Sequence, residues 1–409
     1  MITVARSHGD RGSATDPARA KFPVPEVSSS SPALQRVLSA ARAKPKSVAL
    51  RHDAADALRA AAFVNEAIDA YRVVLAMDPA RGTAHRDLGN VLVDNGRLAE
   101  GLEALQRAVA LLPEEAGTLL GLVRTLQKLG RAAEAAPFVE RLAQAAAVHP
   151  SDARRALYHA LALSQVGRLD DAIAGVRTAI ALDDTDAEAW EFLGLLLCDR
   201  AAWDEARVAY DAALERAPGR PQTLFHRGTL RLRLGDYEGG FGDYEARWES
   251  PLFTTARRDY GVPRWQGEPL GGRALLVHTE QGLGDTLQFV RFIPVARAHG
   301  AGRIVIECED SLVRLLASVS GVDAVVRRGQ PLPAVDCHVP LMSLARIAGA
   351  TVDTVGFATP YLGVDAIARA LPPRKAETRL RIGIVFEASR AGGSFGAKSL
   401  PIEYFAPLA

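Results

Sequence analysis

A short segment at residues 278–288, HTEQGLGDTLQ, combines residue types that could perform chemistry. Two carboxylates, Glu280 and Asp285, flank a glycine hinge. A carboxylate beside a cleft can take the proton from an attacking hydroxyl, and glycines let a ligand approach the backbone closely. A helix that begins after the hinge would also offer free N–H groups to an anion. The candidate residues of this segment are Glu280, Gln281, Gly282, Gly284, Asp285 and Gln288.

The same segment also has a purely structural interpretation. Asp285 is a favoured N-cap residue, and Gln288 follows it at the spacing of a capping box. Glu280 fits equally well as a strand-end carboxylate whose charge is satisfied inside the protein. The sequence leaves both interpretations open.

A second glycine-rich stretch, AGGSFGAKS at 391–399, could meet phosphate charge through basic, hydroxyl and backbone N–H groups. Its candidate residues are Gly392, Gly393, Lys398 and Ser399. A solvated Gly/Ser connector is the alternative. Leu287 replaces the third glycine of a dinucleotide fingerprint, and Ala397 replaces the glycine before a Walker A lysine. No HExxH motif or clustered His/Cys set suggests a metal, and we expect no bound cofactor.

Alternating strand and helix patterns surround the first segment. Short apolar runs predict strands at 274–279, 303–308, 323–328 and 335–339. With helical spacing between them, they predict a parallel, Rossmann-like sheet with helices on both faces. Ligands of such sheets bind beyond the carboxyl ends of the strands, and the glycine hinge follows the first strand. Pro294 predicts a kink or an early end in the helix after the hinge.

The first half of the chain repeats with steps of 34 residues and a single step of 37. A small residue that allows close helix packing recurs at Ala67, Gly101, Ala135, Ala172, Ala206 and Gly240. The segment 187–220 resembles the tetratricopeptide repeat in the spacing of its aromatic, small and proline residues. The resemblance implies stacked pairs of helices that form a superhelix with a concave groove. A protein-binding groove and a packing scaffold for the next domain both remain open.

Bulk composition excludes several classes of protein. The 409 residues carry a net charge of +1, which argues against nucleic acid or an anionic membrane as the main partner. The three cysteines are far apart in sequence, as expected for buried thiols in a reducing compartment. We find no secretory signal and no apolar run of about 18 residues, so we expect no transmembrane segment and a cytoplasmic location.

The join of the repeats to residues 263–326 resembles the bacterial tetratricopeptide-repeat glycosyltransferases, and EQGLGDTLQF is its most specific stretch. The sugar-transfer part of these proteins is similar to that of the ADP-heptose–lipopolysaccharide heptosyltransferases. The resemblance implies a GT-B architecture, with an acceptor half followed by a half that binds the nucleotide-sugar donor. It gives Asp285 the role of general base and places the 391–399 loop near the donor diphosphate. Phe386-Glu387-Ala388-Ser389-Arg390 departs from the Trp-Ala-Gly-Asn-Pro type of sequence found in many relatives.

These patterns divide the chain into six segments. We expect a disordered lead-in at 1–32, a repeat array at 33–250, a linker at 251–273, a Rossmann-like acceptor half at 274–365, a linker at 366–380 and the incomplete start of a donor half at 381–409. A complete donor half needs on the order of 100–200 residues. The sequence therefore predicts a glycosyltransferase-like chain that moves a sugar from a nucleotide-sugar donor to a protein or glycan acceptor and is inactive as it stands. The alternative is a protein-interaction scaffold with a non-catalytic Rossmann-like half.

Overall fold

The computed structural model describes residues 32–250, 253, 255–354 and 361–363. Most of the expected lead-in, the second linker and the start of the donor half lie outside the described residues. The same is true of the candidate residues of the second glycine-rich stretch, which are Gly392, Gly393, Lys398 and Ser399.

A solenoid of α-helices fills the described chain up to residue 249. A single helix, α1, precedes six antiparallel pairs, and a 3-10 turn at Glu245–Glu249 follows the last pair. The helices are α1 (Pro32–Ala43), α2 (Val48–Ala60), α3 (Val64–Met77), α4 (Gly82–Asp94), α5 (Leu98–Leu111), α6 (Ala116–Lys128), α7 (Ala136–Val148), α8 (Ala153–Gln165), α9 (Leu169–Leu182), α10 (Ala187–Asp199), α11 (Trp203–Arg216), α12 (Pro221–Arg233) and α13 (Tyr237–Tyr244). The predicted repeat solenoid is confirmed.

Small residues set the distance between the two helices of each pair. All six predicted packing positions are buried: Ala67, Gly101, Ala135, Ala172, Ala206 and Gly240. A Cβ added to Gly101 would lie 2.5 Å from Cγ2 of Val93, and one added to Gly240 would lie 2.8 Å from the Leu232 side chain. At these two pairs the helices are closer than an alanine would permit.

The last repeat shares its core with the sheet that follows. Phe241 and Tyr244 of α13 are buried in the same apolar cluster as the strand and helix residues beyond residue 265. The earlier repeats bury their apolar faces in two other clusters. The sheet therefore covers the open end of the solenoid, which would otherwise expose an apolar face.

The sheet has four parallel strands in the order β3-β2-β1-β4. They are β1 (Ala274–His278), β2 (Arg303–Cys308), β3 (Ala324–Arg327) and β4 (Cys337–Pro340). In register, Leu276 of β1 lies between Val305 of β2 and His338 of β4. This arrangement confirms the predicted α/β class of the second region.

Four short helices connect or follow the strands. They are α14 (Leu283–Phe289), α15 (Ile293–Ala298), α16 (Val313–Leu316) and α17 (Ser343–Ile347). A 3-10 turn at Val290–Phe292 separates α14 from α15, and Pro294 lies in the first turn of α15, where proline is tolerated. The predicted interruption near Pro294 is thus present.

The two faces of the sheet are covered differently. Leu275, Val277 and Ile306 pack in one core with residues of the helices. The opposite face carries His278 and His338, and the ring of Tyr260 lies 4.8 Å and 5.0 Å from their rings. The expectation of helices on both faces is wrong for the described residues, because a loop covers the second face. The connections β1–β2 and β2–β3 run in the same direction along the sheet. Because such crossover connections are right-handed, their helices lie on the same face of the sheet.

Among the described residues, the helices are too short or too polar to cross a membrane.

Candidate functional site at the junction of the repeats and the sheet

Glu280, which follows β1, is anchored by an arginine of the last repeat. The Arg247 side chain is fully buried, and its Nη2 donates to both carboxylate oxygens of Glu280 at 2.9 Å. Nε of Arg247 donates to Oε2 at 3.1 Å, and the Met342 N–H donates to Oε1 at 3.0 Å. With its carboxylate occupied in this way, Glu280 holds the loop to the repeats.

The buried arginine stays charged at this junction. Burial lowers the pKa of Arg247, but Glu280 and Glu245 outweigh it, so the pKa lies above its usual value. Nη1 of Arg247 also donates to Glu245 at 3.0 Å, and its Nη2 to Oγ of Ser343 at 3.0 Å. Such pairing is needed because an unpaired buried charge is costly. Sequence reasoning assigned no role to Arg247, since its partner Glu280 lies 33 positions away on another element.

The residues after Glu280 turn outward. Nε2 of Gln281 donates to the Tyr244 hydroxyl at 2.7 Å, a second bond to the last repeat. Gly282 and Gly284 are exposed, and neither has a positive φ. A Cβ on Gly284 would meet no atom within 4 Å. The backbone therefore does not require glycine at 284, and the open space above it is available to a ligand.

Asp285 lies in the first turn of α14, but not at the position expected for an N-cap. The N-cap is Gly282, and Asp285 is the third residue of the helix. Its Oδ2 accepts the Gly282 N–H at 3.1 Å. The expectation that Asp285 is the N-cap residue is wrong, because the helix begins three residues earlier than the sequence suggested. The Asp285 side chain instead accepts a hydrogen bond from the backbone N–H of the N-cap residue, Gly282. Gln288 is exposed one turn further on.

A cleft of about 850 Å³ lies where the last two repeats meet α14. Its lining includes Trp203, Tyr210, His226, Tyr237, Phe241 and Gln288. Leu195 of α10 and Thr229 of α12 also line it. The volume falls within the usual range of ligand sites, about 300–1,000 Å³. Of the candidate residues, Gln288 lines this cleft, whereas Glu280–Asp285 are not among the lining residues.

His226 is a residue of this cleft that sequence reasoning missed. Its ring stacks on Tyr210 at 6.1 Å, and burial lowers its pKa, with Glu191 acting in the opposite direction. Its buried Nε2 has no hydrogen-bond partner among the described residues, and the nearest carboxylate oxygen of Glu191 is 3.8 Å away. The lowered pKa favours the neutral imidazole, whose Nε2 is buried beside Glu191.

A polar cluster joins α2 and α4 in the first repeats. His52, Asp56 and Asp87 are close enough together to suggest metal ligands. Nε2 of His52 lies 3.0 Å from Asp87, and Nδ1 accepts from Arg81 at 2.9 Å. Arg86 donates twice to Asp87. Since these ligand atoms already have protein partners, we interpret the cluster as a packed polar network.

The helical repeats match a known repeat family. The sequence model of the tetratricopeptide repeat matches residues 52–116, 86–150 and 157–221. The chain therefore carries tetratricopeptide repeats, a fold associated with the binding of protein partners.

A protein of Caulobacter vibrioides is similar to part of this chain. Protein FlbA of Caulobacter vibrioides is 30% identical over 260 residues, which cover 54% of this chain and 43% of FlbA. The chain thus spans less than half the length of that relative.

Solved structures of tetratricopeptide repeat proteins are also similar. TTC0263 of Thermus thermophilus is 23% identical, with a TM-score of 0.41, and the match covers 46% of this chain and 100% of TTC0263. A repeat protein of Parabacteroides merdae is 16% identical, with a TM-score of 0.45, and the match covers 54% and 87% of the two chains.

Proposed function

We propose that the repeats bind a polypeptide partner and that the loop Glu280–Asp285 takes part in transferring a sugar from a nucleotide-sugar donor to that partner or to a glycan acceptor. The observation that carries the proposal is the cleft between the last two repeats and α14. Its walls come from the last two repeats and from α14, the helix whose first turn contains Asp285. A partner held by the repeats would therefore lie against the C-terminal end of the helix that begins at the loop.

The chemistry of the loop suits this role. Only Oδ2 of Asp285 is engaged by a described residue, so Oδ1 is left to accept a proton from an acceptor hydroxyl. In the proposed step the proton goes to Asp285, the acceptor oxygen bonds to the anomeric carbon, and the nucleoside diphosphate leaves. The loop follows β1 at the carboxyl end of the sheet, where parallel sheets bind ligands.

The resemblance of the segment to the tetratricopeptide-repeat glycosyltransferases supports the proposal. In such a protein the nucleotide-sugar binds to the second half. The residues proposed to approach its diphosphate, Gly392, Gly393, Lys398 and Ser399, lie beyond the described part of the chain. We also propose a cytoplasmic location.

A second candidate is an interaction scaffold without catalysis. The observation in its favour is that both carboxylates have structural partners, Glu280 with Arg247 and Asp285 with the Gly282 N–H. In this case the cleft would bind a protein partner and nothing would be transferred.

The variant Asp285→Asn separates the two candidates. Asparagine keeps the size and can still accept the Gly282 N–H, but it cannot act as a base. The matched control is Asp152→Asn, which alters a helix-capping carboxylate that accepts the Arg155 N–H at 3.1 Å and does not line the cleft. We expect each variant to lose at most about 1 kcal/mol of stability. We expect only Asp285→Asn to lose sugar transfer, by about a hundredfold or more.

The protein is best purified from its native source through an N-terminal tag. The assay measures release of nucleoside diphosphate from a panel of nucleotide sugars and the mass increase of co-purified acceptor. Equal transfer by the wild type and Asp285→Asn would show that Asp285 does not act as the general base. No transfer by any preparation, with partner binding intact, would favour the scaffold.

A further inference from the structure

A small cavity lies on the second face of the sheet, apart from the cleft. It has a volume of about 180 Å³ and borders His278 and Pro340, the last residues of β1 and β4. Trp248 and three arginines complete most of its wall: Arg257, Arg258 and Arg264. Nothing in the proposed sugar transfer uses this cavity.

The cavity is rich in hydrogen-bond donors. A guanidinium carries five N–H donors and no acceptor. Arg264 uses Nη2 for Glu245 and Ser343, while its buried Nε has no partner among the described residues. The buried indole N–H of Trp248 likewise has no acceptor within the described chain. Buried donors without acceptors are rare in native proteins and call for an explanation.

Acceptors in the cavity wall are few. Arg258 is paired with Glu307, which also accepts the Tyr260 hydroxyl at 2.9 Å. Glu249 is mostly exposed and lies 4.0 Å from Arg257, where solvent screens the pair. The two histidines face each other, with Nε2 of His278 3.2 Å from Nδ1 of His338. The wall thus offers more donors than its own carboxylates can satisfy.

The lowered pKa of His278 is consistent with a positively charged cavity. Burial lowers the pKa of His278, and His338, Arg258, Arg264 and Arg247 lower it further, to about 2. The imidazole is therefore neutral, and the positive charge at the cavity comes from the arginines.

Size and chemistry together define the ligand. We infer that the cavity binds a phosphoryl oxyanion, held by Arg258, Arg264 and the indole N–H of Trp248. Guanidinium groups match phosphate oxygens in geometry as well as charge. The volume is below the range of nucleotide-sized sites, about 300–1,000 Å³, so a single phosphoryl group fits and a nucleotide sugar does not. Arg257 is largely exposed at the rim, where a substituent on the phosphate can project.

The test uses the full 409-residue chain. Inorganic phosphate and glycerol 3-phosphate are titrated separately by calorimetry, at an ionic strength held constant with sodium chloride. The same titrations are followed by the indole N–H resonances of the tryptophans. We expect saturable binding and a shift of the Trp248 resonance. Trp190 and Trp265 serve as internal controls, because their indole N–H groups already donate to backbone carbonyls.

Two variants and a matched control complete the design. We expect Arg264→Gln to weaken binding about tenfold or more, and Trp248→Phe, which keeps an aromatic ring, about threefold. The control is Arg273→Gln, which removes an arginine paired with Glu268 at 3.5 Å outside the cavity and leaves affinity unchanged. Tighter binding of glycerol 3-phosphate would identify an esterified phosphate as the ligand, and tighter binding of inorganic phosphate the free ion. Absence of saturable binding, or equal affinity in Trp248→Phe and the wild type, overturns the inference.

Discussion

At the residue scale, the paired histidines of the second sheet face make stability depend on pH. Burial lowers the pKa of His278 to about 2 and lowers that of His338. In the unfolded chain both return to about 6.5. Below that pH the unfolded state binds more protons than the folded state, so stability is complete above it and falls as the pH falls.

We therefore expect the free energy of unfolding to decrease as the pH is lowered from about 7.5 to about 5. The slope attributable to His278 approaches about 1.4 kcal/mol per pH unit once the pH is below its unfolded pKa. Urea denaturation at several pH values measures it. His278→Gln should flatten the slope, whereas His149→Gln, at an exposed position, should not. An unchanged slope in His278→Gln would mean that other groups cause the acid sensitivity.

The sequence identified the residues of the candidate loop, but not their partners. Glu280, Gln281 and Asp285 stand out because carboxylates and glycines follow an apolar run. Arg247 could not be linked to Glu280, nor His338 to His278, because the first contact depends on how the last repeat docks and the second on strand order. β1 and β4 are neighbours in the sheet although His278 and His338 are 60 positions apart.

At the element scale, two helical glycines serve different purposes. Gly101 allows α5 to approach α4, and an added Cβ would also lie 3.0 Å from the Gly89 carbonyl oxygen. Gly284 in α14 has free space around it. The same substitution should therefore have opposite effects at the two sites.

We expect Gly101→Ala to destabilise the protein by about 1–3 kcal/mol through overpacking. Gly284→Ala should be neutral, or stabilising by up to about 1 kcal/mol, because alanine favours the helix. Thermal or chemical denaturation compares the two. If sugar transfer is found, Gly284→Ala should reduce it without reducing stability. Equal destabilisation by both substitutions would contradict the packing interpretation of Gly101.

Element boundaries were less predictable than element types. The 34-residue period located every helix pair, because the small residues must recur wherever two helices touch. The start of α14 was misplaced, since glycine at the N-cap gives a weaker signal than aspartate. The covering of the second sheet face by residues 255–265 could not be foreseen, because that loop has no periodic pattern.

At the scale of the whole molecule, the last repeat and the sheet behave as one unit. Phe241 packs edge-on against Phe289 at 5.9 Å, and Arg247 joins Glu280 and Ser343 across the same boundary. Repeats further from the sheet contact only their neighbours, so their stability is largely local.

We expect Arg247→Met to destabilise this unit by about 3–5 kcal/mol, because it leaves Glu280 buried without a counter-charge. Native-state hydrogen exchange should show reduced protection in α12, α13 and β1 together, with α4–α6 unaffected.

The matched control for this prediction is Arg231→Met. Arg231 pairs with Asp243 at 2.9 Å inside the last repeat. Arg231→Met should reduce hydrogen-exchange protection in α12 and α13 more than in β1. Loss of protection in β1 alone after Arg247→Met would show that the two parts unfold independently.

Among the described residues, the lining of the cleft comes from the segment between α10 and α14, and this has an evolutionary consequence. The helix pairs upstream of α10 can be duplicated, deleted or exchanged as whole units without disturbing the walls of the cleft. Selection can therefore alter the length and chemistry of the recognition surface in steps of one repeat. The helix α14 that a bound partner would contact remains the same throughout.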